Sequence, residues 1–83
     1  MPYIPKSRRA EIDLLGTVAS DYVPGDLNYQ FTLLILDYID ARGLSYQTIN
    51  DIVGSLECCK QEFYRRVAGP YENKKSKDNG DVY

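Results

Sequence analysis

Apolar residues recur at three- and four-residue intervals through the middle of the chain, which is the spacing of helices that bury one face. The clearest run is Leu27, Phe31, Leu34, Ile35, Tyr38 and Ala41, with Ile39 at its margin. These positions share one side of a helix expected over residues 26–42, with Asp26 as its cap and Gly43 as a left-handed stop. A second stripe, Ile49, Ile52, Val53, Leu56, Phe63 and Val67, runs through a longer helix expected over residues 45–68. Ser45 should cap this helix, and Gly69-Pro70 should end it. Because the Gly43-Leu44 link is so short, the two helices are expected to fold back as an antiparallel hairpin.

The N-terminal third is less regular. Residues 1–6 contain two prolines and read as an extended arm. From Ser7, as an N-cap, a first helix is expected over residues 7–22, with Ile12, Leu15 and Val18 or Ala19 on one face. Gly16 allows a second division, into a single turn at 7–11 and a short helix capped by Asp13. Pro24-Gly25 carries turn chemistry and should close this segment. Residues 70–83 read as a tail, with a turn or two between Tyr71 and Lys77.

The fold class expected is therefore all-α. It is a small three-helix unit built on the hairpin, forming one domain with an extended N-terminal arm and a short C-terminal tail. The middle helix also carries a narrower apolar set, Tyr29, Leu33 and Leu36, roughly opposite the Phe31 face. One amphipathic neighbour cannot cover both sides. Either the first helix folds over this stripe, or the stripe of a second copy meets it across a two-fold axis. A chain of 83 residues has a marginal core, so completion by a partner is physically reasonable. On that argument Tyr29, Leu33 and Leu36 are the candidate self-association surface.

Charge adds direction. The net charge is only -2, too small for general attraction to nucleic acid or anionic lipid. Yet Ala10 to Cys59 holds eight acids and one base, whereas Lys60 to Lys77 holds six bases and two acids. Arg65, Arg66, Lys74, Lys75 and Lys77 are the candidate nucleic-acid patch, although no recognised motif surrounds them. Lys60 falls within the apolar stripe between Leu56 and Phe63. It is expected to snorkel to solvent or to pair with Asp37 or Asp40 across the hairpin.

Catalytic chemistry is sparse. There is no histidine, so the usual proton shuttle near neutral pH is missing. Cys58 and Cys59 are adjacent, which suits neither a disulfide with each other nor a zinc site, and they read as one packing and one exposed thiol. Asp37 and Asp40 are spaced to share a cation, but exposed helical acids serve solvation and charge pairing more often. The expectation is a non-enzyme with no cofactor. The opening residues lack a signal-peptide core and no apolar run is long enough to span a bilayer, so the expected location is the cytosol.

The strings Pro2-Tyr3-Ile4, Pro24-Gly25-Asp26-Leu27-Asn28-Tyr29, Gly43-Leu44-Ser45-Tyr46, Ile49-Asn50 and Leu56-Glu57-Cys58 carry a resemblance, together with Glu62-Phe63-Tyr64-Arg65-Arg66-Val67, Pro70-Tyr71-Glu72 and the closing Asn79-Gly80-Asp81-Val82-Tyr83. Through them the chain resembles a family of short uncharacterised proteins, a domain of unknown function, from tailed bacteriophages and bacteria. Relatives often place a proline after the Ile-Asp pair, where this chain has Leu14. The resemblance implies a phage-type accessory protein and supplies no catalytic residue or ligand. Joined to the residue pattern, it leads to the expectation of a protein-interaction module that self-associates as a dimer or binds another viral or host protein. The alternative expectation is a small nucleic-acid-associated regulator using Lys60 to Lys77.

Overall fold

The computed structural model describes residues 3–83, and among them every regular element is helical, so the fold is all-α as the periodicity predicts. Met1 and Pro2, which begin the expected arm, lie outside the described residues, as does the Leu15 side chain. The elements are α1 (Lys6–Leu15), α2 (Pro24–Arg42), α3 (Tyr46–Phe63), a π-helical turn (Tyr64–Ala68) and α4 (Gly69–Asn79). Contacts divide the chain into two compact units, one ending at Thr48 and one spanning Ile49–Tyr83, where the pattern suggests one domain.

In the first unit, α1 begins at Lys6 and not after a Ser7 cap. The arm feeds it directly: Arg9 donates its backbone N–H to Pro5 O at 3.0 Å and its Nε–H to Ile4 O at 2.9 Å. The helix ends at Leu15, well short of the expected Tyr22. Gly16 takes φ 64, a left-handed conformation that costs glycine little, and its N–H reaches back to Ile12 O. Val18 and Ala19 therefore leave the helical face assigned to them.

Pro24-Gly25 opens α2 and does not close the preceding segment. A first-turn proline loses nothing, because its missing N–H would have no intrahelical acceptor. Asp26 consequently sits in the third helical position and is not the cap. Its carboxylate Oδ2 accepts the Val23 backbone N–H at 3.0 Å, while its own N–H donates to Val23 O at 2.9 Å. This is the acidic half of a capping box. At the far end Gly43 stops the helix as expected, donating to Ile39 O at 2.7 Å.

Ser45 caps α3 as the sequence predicts. Its Oγ accepts the Thr48 N–H at 3.1 Å, and the Thr48 hydroxyl donates to Gly43 O at 2.8 Å. Both groups that close the link are therefore satisfied, which explains how Thr48 can be buried.

In the second unit the helix does not stop at Gly69-Pro70. Phe63, Ala68 and Gly69 all keep right-handed helical dihedrals, and the expected tail forms a further eleven-residue helix. Proline inside an α-helix removes one backbone donor and collides with the preceding turn. The wider π-turn relieves that collision, with the Gly69 N–H bonding to Tyr64 O. A Cβ on residue 69 would lie 3.1 Å from that same oxygen, so glycine permits the close approach.

Candidate interaction surface

Three carboxylates converge on one guanidinium where α1 meets the loop and the start of α2. Arg8 Nη1 lies 2.9 Å from Glu11, and Nη2 lies 3.1 Å from both Asp21 and Asp26. The guanidinium also covers the Tyr22 ring, 5.1 Å from its centroid. Asp26 is only 3% exposed, so the cation offsets a desolvation cost that the carboxylate would otherwise bear. Arg8 first, and then the Val23 N–H, hold the Asp26 carboxyl below its ordinary 3.8 against the opposing effect of burial. The Arg8 pKa is raised in turn, chiefly by Asp26 and then by Glu11 and Asp21. The guanidinium is thus engaged by three carboxylates of its own unit, and the cluster ties α1 to the loop and to the start of α2.

The Tyr29, Leu33 and Leu36 stripe is only partly the free surface expected of it. Tyr29 is half-buried and donates its hydroxyl to Asp13 Oδ1 of α1 at 2.9 Å. Burial, and after it the hydrogen bond to Asp13, push its phenol above the ordinary 10.0. Leu33 is also half-buried, and only Leu36 is exposed. Helix α1 packs on α2 and places Ile12, 1% exposed, as the buried apolar centre of the unit. Of the two coverings that the sequence allows, the first helix supplies the one seen at Tyr29.

On the opposite side of α2 Ile35, Tyr38 and Ile39 are half-buried, but the N-terminal part of the face is exposed. Leu27 and Phe31 are exposed despite belonging to the more apolar face, and Leu34 is 72% exposed. Together with Val18, Tyr22, Val23, Pro24 and Asn28, Leu27 and Phe31 line one shallow apolar groove. The periodicity placed Leu27 and Phe31 on an apolar face but missed the part played by Val18 and Val23. A usable signal was present: an acid three residues after Val23, with proline between them, marks Val23 as the residue before a helix.

The second unit has an apolar stripe and a basic end. Val53, Leu56, Phe63 and Val67 are all exposed, as is Ile49. Lys60 holds its side chain largely in solvent, as the snorkelling expectation has it. It pairs with Glu57 of its own helix at 3.0 Å, and with Gln61 this holds the Glu57 carboxyl below 4.5. Arg65 and Arg66 both bind Glu62, so two of the five basic candidates are already partnered within the helix. Lys74, Lys75 and Lys77 are exposed on α4, with the Lys75 ammonium over the Tyr71 ring. Both Cys58 and Cys59 are exposed, which corrects the expectation that one of them packs. Among the described residues no three acidic or cysteine side chains gather as a metal site, and no helix is long and apolar enough to cross a membrane.

In comparison with known proteins, a family model described as a domain of unknown function, DUF6899, matches residues 1–82. No curated protein and no solved structure matches the chain.

Proposed function

Since the chain belongs to the DUF6899 family, whose function is unassigned, we propose from its geometry that it is a non-catalytic protein-interaction module that self-associates. One observation carries the reading. Among the described residues Ile12 is the buried large apolar side chain, while Leu27, Phe31, Leu34, Val53, Leu56, Phe63 and Val67 are all exposed. Exposed apolar side chains repeated along one face of a helix, as each unit carries, mark interaction sites, because a chain gains stability by covering them. The absence of histidine and the internal pairing of Arg8 with its three carboxylates argue against proton-transfer chemistry. The phage-type origin implied by the resemblance fits a small cytosolic accessory factor acting on its own copies or on a viral or host protein.

Native mass in solution tests the proposal. At micromolar concentration the expected species is a multiple of 9.5 kDa; a single-chain mass across the whole range overturns self-association. The rival, a nucleic-acid-associated regulator, draws on the exposed Lys74, Lys75 and Lys77. It is weakened by the loss of Arg65 and Arg66 to Glu62. Retention on DNA or RNA at low salt, falling steeply as salt rises, is the result that would favour it.

A further inference from the structure

We propose that the face of α2 carrying Val23, Leu27, Phe31 and Leu34, with Val18 beside it, is the self-association surface, and that its occupant is the same face of a second copy packed antiparallel about a two-fold axis. This inference rests on the self-association proposed above and assigns it a surface different from Tyr29, Leu33 and Leu36. Three observations choose the occupant.

The first is charge. Between Asp26 and Asp37 the helix runs through ten residues without an acid or a base. In a two-fold contact residue i of one copy meets residue j of the other and j meets i, so a side chain near the axis approaches its own equivalent and a charge there would approach its like. Apolar and uncharged, this stretch is compatible with itself. At its N-terminal edge Asp26 is buried and ion-paired with Arg8, away from the exposed face. The interface is thus depleted of charge at its centre, as buried interface cores are.

The second is spacing. Leu27, Phe31, Leu34 and Tyr38 recur at four, three and four residues, the interval of a seam between two helices. A parallel pairing would set Asp37 and Asp40 against their own copies. An antiparallel pairing centred near Phe31 brings Asp37 beside the first turn of the other α2, where the helix dipole is positive and the acid of that turn, Asp26, is buried against Arg8. The antiparallel arrangement therefore has the lower electrostatic cost.

The third is area. The exposed fractions of Val18, Val23, Leu27, Phe31 and Leu34 leave roughly 500 Å² of apolar surface per chain, a large patch for a small monomer. Pairing two such faces withdraws about 1,000 Å², near the lower limit for a specific interface before any rim is counted.

The experiment uses the full chain with Cys58→Ser and Cys59→Ser as background. Expected are a dimer by native mass, conversion to monomer by Leu34→Glu with helicity intact, and an association about 30-fold weaker, as when a central anchor is lost. Because Leu34 is 72% exposed, this change should not disturb folding. Phe31→Cys added to the background should cross-link to its own copy on oxidation, and Leu36→Glu should leave the dimer intact. A dimer that survives Leu34→Glu and never links through Phe31→Cys overturns the surface while leaving self-association standing. A background protein that is monomeric throughout overturns both. Monomer whose helicity falls with Leu34→Glu overturns the second copy as occupant, since the face is then covered by its own chain.

Discussion

Arg8 Nη2 stands 3.1 Å from Asp26 Oδ2, and the same oxygen accepts the Val23 backbone N–H at 3.0 Å. One carboxylate oxygen thus fastens α1 to the first turn of α2. Because Asp26 titrates below its ordinary 3.8 in the folded chain, its contribution is fully present above that value and is lost as pH falls through the depressed one. Thermal melts followed by circular dichroism should be nearly level from neutral pH to mildly acidic conditions and should drop below about pH 4. Asp26→Asn should be less stable at pH 7 and should flatten that acid limb. An unchanged limb in the variant would assign the acid sensitivity to other carboxylates.

Ile12 carries the apolar centre of the first unit. Its truncation to alanine removes buried methyl groups and leaves a void, an expected loss of about 3 kcal/mol in denaturant unfolding. Leu14, 88% exposed on the same helix, is the matched control. Leu14→Ala should change stability by less than about 0.5 kcal/mol.

The link between α2 and α3 depends on two hydroxyls. Ser45→Ala leaves the Thr48 N–H without its acceptor and should cost about 1 kcal/mol, the ordinary value of a lost helix cap. Thr48→Val keeps the shape but strips Gly43 O of its donor at a part-buried hydrogen bond, an expected cost of about 1 kcal/mol. Equilibrium unfolding of the two variants and of the double mutant checks the pair. The double mutant should lose less than the sum, because both changes open the same short network.

The π-turn exists to seat Pro70. Pro70→Ala restores a backbone donor and removes the ring, so residues 64–68 should relax toward ordinary α-helical hydrogen bonding. Carbon chemical shifts and amide exchange across 64–70 report this directly, with protection expected to rise. Identical shifts and exchange rates in the variant would mean that the turn has another cause.

The local signals in the chain were sufficient for the all-α class, for the stop at Gly43 and for Ser45 as a cap, because each depends on hydrogen bonds and dihedrals within one turn of the residue concerned. The same locality explains two misreadings. Pro24-Gly25 and Gly69-Pro70 carry the same residue chemistry, yet the first pair opens a helix and the second sits within a continuous one. Proline excludes a backbone donor at its own position, and whether that ends a helix depends on the acceptor its neighbours still offer.

Which side of α2 is covered was not written in the periodicity, since both faces are apolar and an apolar stripe does not name its neighbour. The decision came from contacts distant in sequence: Arg8 to Asp26, Tyr29 to Asp13, and the burial of Ile12. Those interactions become favourable only once two helices are in place, because a charge pair or buried methyl gains its energy by being withdrawn from water together with its partner. The chain alone therefore determined that helices form and how α2 stops and α3 starts, and packing determined which apolar face of α2 is covered by α1 and which residues stay exposed.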